Sequence, residues 1–294
     1  FFSGVRMSAF AKRAFTRSGY QALANPVWRS RVNPATPFGV YRAQSTSTAA
    51  SSSPLARPEQ LDAKFTKDVP DYMTDIYTWA YVNPTNVKLL DSQLVVDVLL
   101  FFNARALERA VLAHLDPGCK AIQVGHTHGG LVPKAAQQVG PQGDFSVVDV
   151  TPIQVQHAEE KVKDSPWCKV RLGDACIPEM ILPADETPHD VAYAFMILHE
   201  VPDYRKYQIV NNMLKSVRKG GTVVWVEYHG PPYWYNPTRY FMPFVFKWLE
   251  PFALVLWDRE IESFADEELK KQFKWSKEVY GGNLYQVVVA KHIE

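Results

Sequence analysis

The stretch AIQVGHTHGGLVPKAAQQVG, residues 121–140, decides the fold class. A short apolar run comes first, then a glycine-containing turn, then apolar residues at helical spacing. This order of buried strand, glycine turn and helix is typical of the nucleotide-binding loop of an open α/β sheet. Two histidines, His126 and His128, stand inside the turn, and Gln123 takes a position where such loops usually carry a carboxylate. The stretch therefore predicts a familiar fold with an altered loop.

The rest of the chain alternates between strand and helix patterns. A helix is expected from Ser92 until Asp116-Pro117-Gly118 stops it, and 273–291 predicts two strands joined at Gly281-Gly282. Between them lie predicted strands at 120–124, 144–150, 168–175, 189–197 and 222–228, with helices beginning at 131, 151 and 204. Repeated βα units predict an α/β fold: a mostly parallel seven-stranded sheet, helices on both faces and an antiparallel C-terminal hairpin.

Charge divides the 294 residues into a basic leader and an acidic body. Residues 1–57 hold eight of the 32 Lys and Arg and no Asp or Glu, which leaves 24 basic against 31 acidic residues in the rest. A basic, Ser-rich leader without acids is typical of a mitochondrial transit peptide, or alternatively of a tail that binds an acidic partner. The three scattered cysteines fit a reducing matrix, and the acidic body argues against a nucleic-acid partner.

Polar residues gather where the predicted strands end. Gly125 turns the chain after the first strand, Asp149 ends the second, and Asp174 follows the third. In an open α/β sheet these strand ends meet at the ligand-binding edge. Asp149 is expected to accept hydrogen bonds from both hydroxyls of a ribose, or alternatively to cap the next helix. Asp174 is expected near an adenine amino group.

This arrangement, with its final hairpin, resembles the class I S-adenosylmethionine-dependent methyltransferases from about residue 110 onward. The resemblance implies their Rossmann-type fold and S-adenosylmethionine as cofactor. The cofactor-binding residues that it implies follow the first three strands: Val124, Gly125, Thr127, Gly129, Asp149, Val150, Asp174 and Ala175.

A narrower resemblance covers nearly everything after residue 65. The stretches VPDYMTDIYTWAYVNPTNVKLLD (69–91), QVGHTHGGL (123–131), FMILHEVPDYRKYQIV (195–210), VEYHGP (226–231) and LEPFALVLWDREI (249–261) are similar to the rhodoquinone-biosynthesis proteins, the RquA family. That family has the methyltransferase fold but replaces a ring methoxy group of ubiquinone with an amine. The resemblance implies S-adenosylmethionine as amino donor, ubiquinone as a membrane-borne substrate and a divalent metal, preferably manganese.

The altered loop suits amine transfer. The usual methyltransferase loop begins with an acid, and a neighbouring carboxylate favours the ammonium form of an amine and raises its pKa. Gln123 removes that effect, and His126 or His128 is expected to accept the amine proton, since imidazole titrates near neutrality. The alternative is that both histidines make ordinary loop hydrogen bonds. Tyr77 is a further predicted catalytic residue.

Metal ligands are expected at two neighbouring strand ends. His199 and Glu200 follow the fourth strand, and Glu227 and His229 end the fifth. Mixed carboxylate and imidazole ligation suits manganese better than thiolate ligation does. Alternatively, Glu200 caps the following helix and His229 is a surface residue.

Aromatic residues indicate where a quinone would bind. The domain at 58–294 is expected to carry a helical lid at 58–118 and an aromatic insertion at 231–257, whose prolines break any single membrane-spanning helix. The insertion is expected to line a polyprenyl tail and dip into the inner mitochondrial membrane, or alternatively to pack as a buried helix. The predicted substrate-binding residues are Tyr72, Trp79, Tyr81, Tyr228 and Trp248.

The sequence is therefore compatible with three functions. Quinone amination follows from the narrower resemblance, and methyl transfer to a quinone or phenolic lipid follows from the fold alone. The third is a non-catalytic quinone-binding scaffold. The glycine turn and the strand-end acids weigh against the scaffold.

Overall fold

The computed structural model describes residues 69–77, 87 and 90–294. The predicted leader at 1–57 and the predicted substrate residues Trp79 and Tyr81 lie outside this part of the chain. The strands are β1 Lys120–Val124, β2 Asp144–Asp149, β3 Cys168–Leu172, β4 His189–Phe195, β5 Val217–Tyr228, β6 Phe273–Tyr280 and β7 Tyr285–His292.

These strands form one seven-stranded sheet in the order β3-β2-β1-β4-β5-β7-β6. β1 to β5 pair in parallel, whereas β7 runs antiparallel to both β5 and β6. The turn between the last two strands contains Gly281 and Gly282, both at positive φ. The predicted α/β class, with its class I methyltransferase-like sheet and antiparallel hairpin, is confirmed.

The described helices cover both faces of the sheet. They are α1 Asp71–Ile76, α2 Gln93–Leu99, α3 Ala104–Leu112, α4 Leu131–Val139, α5 Pro152–Val162, α6 Pro178–Ile181, α7 Asp203–Ser216, α8 Thr238–Trp248, α9 Val255–Asp258 and α10 Glu267–Lys270. Consecutive strand residues point to opposite faces. Ala121 accordingly packs in the cluster under α3 and α4, and Ile122 packs in the cluster under α7.

The single helix expected after Ser92 is broken, and this prediction is wrong. α2 ends at Leu99 and α3 begins at Ala104, with Phe101 and Phe102 between them at φ 48° and 61°. The side-chain amide of Asn103 donates to the carbonyl oxygens of Leu100 and Phe101, at 3.1 and 2.9 Å, in place of helical bonds. The apolar periodicity continues across the break, so the pattern does not reveal it.

The aromatic insertion forms α8 and α9, with Pro243 inside α8. Met242 and Phe246 are buried under the sheet, while Tyr240, Phe244 and Trp248 are exposed. Within the described ranges, no helix combines the length and apolarity needed to cross a bilayer. α8 therefore combines a buried face, as the second alternative expects, with an exposed aromatic face.

Candidate active site

A first cavity lies beyond the carboxyl ends of β1, β2 and β3. Six of the predicted cofactor residues line it: Val124, Gly125, Asp149, Val150, Asp174 and Ala175. Its volume is about 60 Å³, well below the roughly 300 Å³ of small-molecule sites. Tyr72 and Met73 of α1 form one wall. Tyr72 therefore belongs to this cavity rather than to a substrate site.

The glycine turn is used in two different ways. Gly125 has φ 79°, and a Cβ there would overlap the side chain of Ile197 and lie 2.7 Å from its Cγ1, so the position requires glycine. Gly129, at φ 84°, instead faces Gln93 and Val96 of α2. Gly129 was expected to allow a ligand to approach, and this is corrected: the chain's own helix takes that space.

Asp149 holds the loop through its carboxylate. One oxygen accepts the main-chain N–H of His126 at 2.7 Å, and the other accepts the N–H and the hydroxyl of Thr151 at 2.8 and 2.7 Å. Burial raises the pKa of Asp149, although the two main-chain donors oppose this. Asp149 thus lines the cavity and also bonds to Thr151, which is itself the N-cap of α5. Its role as a ribose ligand stays a prediction.

Asp174 lines the cavity, but its carboxylate is already paired. Arg205 of α7 donates to both oxygens, at 2.6–3.1 Å, and the guanidinium lies 5.2 Å from the ring centroid of Tyr72. An adenine amino group would have to share this carboxylate with Arg205.

Gln123 lies beneath the loop and lines neither cavity. Its amide nitrogen donates to the carbonyl oxygen of Gly125 at 2.8 Å and to the hydroxyl of Thr127 at 2.9 Å. The hydroxyl of Tyr193 donates to its amide oxygen at 2.7 Å, and the side chain is fully buried. The sequence predicts that Gln123 keeps a cofactor amine neutral by replacing a carboxylate, and in the structure its side chain fastens the loop from inside instead of facing either cavity.

A second cavity of about 450 Å³ opens beside the first. Side chains from 96–101 and from α8 make most of its wall apolar. Its polar residues are Thr127, His126, His128, His199, Glu200, Tyr228 and Glu250. Tyr228, a predicted substrate residue, lines this cavity. Thr127, a predicted cofactor residue, lines this cavity and not the first. Trp248, also predicted to bind substrate, is a 55% exposed surface residue outside the cavity.

The buried His199 and the carboxylates of Glu200 and Glu250 form the polar end of this cavity, with Glu227 behind His199. Nδ1 of His199 lies 2.8 Å from Glu227, and Nε2 lies 3.8 and 3.9 Å from Glu200 and Glu250. Burial opposes the charged imidazole, but these carboxylates, Glu227 first, raise the pKa of His199 to about 9. The hydroxyl of Tyr77 donates to Glu250 at 3.0 Å, which attaches α1 to this cluster.

The four predicted metal ligands do not form one set, and this prediction is corrected. Glu227 directs one oxygen to the main-chain N–H groups of Ile197 and Leu198 and the other to His199. His229 is elsewhere, with Lys277 and Glu260 as its charged neighbours. Across the described ranges, no group of three or more His, Cys, Asp and Glu residues is arranged to hold a metal ion.

The two cavities meet at three residues, His126, Ile197 and Glu200, which line both. Nδ1 of His126 lies 2.7 Å from the amide oxygen of Gln154, and its Nε2 has no hydrogen-bond partner among the described residues. Burial, then the nearby Lys161, lowers the pKa of His126 to about 3, so this imidazole is neutral. The junction is therefore buried, with a neutral imidazole at His126 and a carboxylate group at Glu200.

Sequence reasoning missed four residues of the site: Asp91, Gln154, Lys161 and Glu250. Gln154 and Lys161 lie on one face of α5 below the loop, and helical spacing from Thr151 gives a signal for both. Glu250 lies within the aromatic insertion at 231–257, and nothing in that run singles it out. Asp91 bonds to a glycine 38 residues later in the chain, and no local pattern reveals such a contact.

Comparison with known proteins agrees with this geometry. Residues 121–221 match the family model described as a methyltransferase domain. The chain is 27% identical over 173 residues to a demethylmenaquinone methyltransferase of Bacillus subtilis, covering 58% of this chain and 71% of that protein. It is 30% identical over 139 residues to the protein of the same name from Anoxybacillus flavithermus, covering 45% and 56% of the two chains.

Solved structures with a similar outline include a SAM-dependent methyltransferase from Aquifex aeolicus, at 18% identity and a TM-score of 0.46 over 72% of this chain and 99% of that one. Another is human N-acetylserotonin methyltransferase in complex with SAM, at 13% identity and a TM-score of 0.47, over 78% and 64%. Residues 121–221 are thus similar to a methyltransferase domain, and the seven-stranded sheet that contains them has the class I methyltransferase-like fold.

Proposed function

We propose that this chain is an S-adenosylmethionine-dependent enzyme that converts ubiquinone to rhodoquinone by replacing a ring methoxy group with an amino group. The observation that carries the proposal is the meeting of two cavities at His126, Ile197 and Glu200. One is bordered by the glycine turn and strand-end acids, and the other is apolar with a polar end. A quinone has this shape, a polar ring on an apolar tail.

Two further observations support a membrane quinone. The two relatives described above are both named demethylmenaquinone methyltransferases. On the surface, Phe102 stands 77% exposed between α2 and α3, and Tyr240 and Phe244 are exposed on α8. Exposed aromatic side chains favour the membrane interface. We therefore propose peripheral contact with the inner mitochondrial membrane, on the matrix side that the predicted leader implies.

The residues around the first cavity fit S-adenosylmethionine. Gly125 lines the cavity with main-chain atoms alone, and Asp149 and Asp174 supply carboxylates for ribose and adenine. Nε2 of His126 is a buried nitrogen with no hydrogen-bond partner in the described part of the chain. When bound, the cofactor supplies the amino group. Tyr72 and Met73 of α1 would lie against it.

His199 is the proposed electrophile for the quinone. As an imidazolium held by Glu227, it can donate a hydrogen bond to a ring carbonyl oxygen and stabilise the negative charge that develops when an amine adds to the ring. The ring carbon then gains a C–N bond and loses its C–O bond, and methanol carries away one amine proton, which leaves a secondary amine still joined to the α-carbon of the donor. Release of the amino group on the ring would then require elimination from the donor, in which nitrogen keeps the electrons of that second C–N bond and gains a proton while the donor loses a β-proton. No oxidant is needed for this exchange.

The family resemblance also implies a divalent metal. His199, Glu200 and Glu227 are neighbours, but His229 lies apart and Glu227 is occupied by main-chain donors. The predicted ligands therefore do not fit a metal site as a set, and no step is assigned to a metal.

The proposal is tested by isotope transfer. The protein is incubated with ubiquinone in lipid vesicles and S-adenosylmethionine labelled in its amino nitrogen, with and without manganese, and the quinones are examined by mass spectrometry. Amination predicts a lighter product that carries the label. Unlabelled quinone under every condition would contradict it.

Methyl transfer to a quinone or phenolic lipid is the second candidate, favoured by the names of the two relatives. The same experiment with the label in the methyl group of S-adenosylmethionine distinguishes it, because the product is then heavier by one labelled methylene unit. A hydroxylated quinone is supplied as acceptor in this arm.

Asp149→Ala is expected to weaken S-adenosylmethionine binding at least tenfold, since hydrogen bonds to a charged group are each worth about 1.5–3 kcal/mol. It also releases the loop at His126. Calorimetric titration measures the affinity, and a thermal melt shows whether the variant is folded. Asp144→Ala, at the opposite end of β2, is the matched control. Equal affinity in both variants would show that the cofactor binds elsewhere.

A further inference from the structure

An exposed apolar surface joins the break between α2 and α3 to the outer side of α8. The ring centroids of Phe101, in the break, and Phe241, on α8, lie 5.7 Å apart. Six further exposed side chains of these elements belong to the same surface: Val98, Leu99, Phe102, Tyr240, Phe244 and Trp248. These eight residues are called the aromatic patch.

Phe102 points away from the protein from an unfavourable backbone conformation. Phe101 and Phe102 have φ 48° and 61°, in the left-handed region that bulky residues seldom adopt. The main-chain N–H of Phe102 donates to the carbonyl oxygen of Asp97 at 2.6 Å, which closes the turn. The side chain of Phe102 is 77% exposed, so its ring gains little burial within the protein. A strained backbone that exposes an apolar ring indicates a binding role.

The second cavity opens at this patch. Val98, Leu99 and Phe101 line the cavity and are also exposed, so they form its rim. Met242 and Val245 line it from α8. The apolar wall of the cavity is therefore continuous with the apolar surface outside, and an apolar tail can lie against both.

The charges beside the patch on α8 are basic, although the chain after residue 57 holds 31 acidic and 24 basic residues. Residues 231–249 contain two charged side chains, Arg239 and Lys247, and no acid. Lys247 is exposed, and its Nζ lies 5.9 Å from the ring centroid of Trp248. The local charge therefore suits an anionic surface.

α3 adds a basic groove directly after the break. Arg105 and Arg109 are exposed on α3 and line this groove. Glu108, also in the groove, is buried and pairs with Lys134 at 2.6 Å. Arg105 lies 3.6 Å from Asp97, whose side chain is mostly buried. Among the described lining residues, the exposed charges are therefore positive and match the phosphates of anionic lipids.

We propose that the aromatic patch docks on an anionic lipid bilayer and that the quinone enters the second cavity from that bilayer, between α2 and α8. This inference rests on the proposed function for its substrate, a quinone with an apolar tail. Phe102 and the exposed face of α8 enter the membrane interface. Arg105, Arg109 and Lys247 approach lipid phosphates. The ring reaches the polar end of the cavity at His199, and the tail stays against the apolar wall and the lipid chains.

Phe102→Asn and Tyr204→Asn, made in the full chain, test the docking. Asparagine tolerates the left-handed region better than phenylalanine does, so Phe102→Asn should fold. Tyr204 is 64% exposed on α7, which packs on the opposite face of the sheet from α8. In flotation with vesicles of phosphatidylcholine and phosphatidylglycerol, Phe102→Asn should bind about tenfold more weakly than the parent, and Tyr204→Asn within about twofold of it. A thermal melt checks folding, and Phe244→Ser replaces Phe102→Asn if the latter fails to fold.

Lys247→Glu tests the charge of the docking surface. It should weaken binding to these anionic vesicles about tenfold, because each basic side chain near a membrane surface adds its own attraction. Binding to vesicles of phosphatidylcholine alone should not change. An equal loss on both kinds of vesicle would show that lipid charge plays no part.

Two quinones test the route of entry: ubiquinone with its long tail in the vesicles, and a water-soluble homologue with a single prenyl unit. Phe102 does not line the second cavity. Phe102→Asn should therefore raise KM for the long-tailed quinone about tenfold, and leave KM for the soluble homologue and both kcat values near those of the parent.

Equal vesicle binding by the parent and Phe102→Asn, or an equal rise in KM for both quinones, would overturn the proposal. The same holds for a parent that is dimeric by light scattering and becomes monomeric in Phe102→Asn with unchanged vesicle binding, since the patch then joins two copies of this chain. Flotation needs no turnover. A parent that transfers neither label therefore overturns the proposed function and the route of entry, while flotation still decides the docking.

Discussion

Glu227→Gln is expected to lower the free energy of unfolding by about 3 kcal/mol at pH 7, because it removes one partner of a buried ion pair. Glu227 is fully buried, and its Oε2 lies 2.8 Å from Nδ1 of His199. Glutamine keeps one oxygen for the N–H groups of Ile197 and Leu198, so the loss should fall at the low end for such pairs. Urea unfolding measures the change. Glu160→Gln, an exposed carboxylate paired with Lys163, is the control and should change little.

The same pair predicts a pH dependence. The pKa of His199 is raised from 6.5 to about 9 in the folded protein. Its contribution to stability is therefore fully present below pH 6.5 and is lost as the pH rises from 6.5 to about 9, where the unfolded chain releases the proton first. The parent should lose stability over this range, and Glu227→Gln should lose less. Parallel slopes in parent and variant would contradict the ion pair.

Much of the fold could be predicted because its signals are local. An apolar run before Gly125, a strand that ends at Asp149 and a hairpin turn at Gly281 each appear within a few residues of sequence. The parallel arrangement then follows, because the helix after each strand returns the chain so that the next strand runs in the same direction. The strand-end edge is consequently where the first cavity lies.

The site was harder to predict because its carboxylates already accept hydrogen bonds from other groups of the protein. Asp149 has the residue type of a ribose ligand, yet its oxygens already accept three bonds from His126 and Thr151. Asp174 has the type of an adenine ligand, yet Arg205 holds it from another helix. Residue type and spacing indicate what a side chain can bind. They do not show which group of the folded protein already bonds to that side chain.

Long-range contacts explain the remaining errors. Glu250 reaches His199 from the aromatic insertion, and Tyr77 reaches Glu250 from 173 residues earlier in the chain. His229 lies two residues after Glu227, a spacing that would put both on one face of a continuous strand. However, β5 ends at Tyr228, so His229 lies beyond the strand, with Lys277 and Glu260 as its charged neighbours. Neighbours in sequence were therefore separated, and distant residues were brought together.

Gln123→Glu distinguishes the arrangement in the structure from the hypothesis that the sequence suggested. The amide nitrogen of Gln123 donates to the carbonyl oxygen of Gly125 and the hydroxyl of Thr127. A carboxylate can accept a hydrogen bond from the rotated Thr127 hydroxyl, but it has no proton for the carbonyl oxygen of Gly125 and places a buried negative charge beside it. Each buried acceptor left unpaired costs about 1–3 kcal/mol. We therefore expect the variant to lose about 3 kcal/mol of stability at pH 8, and to bind S-adenosylmethionine more weakly because the loop moves.

The loss should shrink at pH 5. Burial raises the pKa of an introduced carboxyl group, and the protonated form has a donor for the carbonyl oxygen of Gly125. Stability is then retained at low pH and lost as the pH rises through the raised pKa. Gln138→Glu is the matched control, because Gln138 donates to two main-chain carbonyl oxygens far from the loop. It should lose stability without weakening cofactor affinity.

Direct action of Gln123 on the cofactor amine predicts the reverse for Gln123→Glu: unchanged stability, kept or improved affinity and a pH optimum of amination that moves upward. A buried amide whose every bond goes to the protein cannot give that result unless it first leaves its place under the loop.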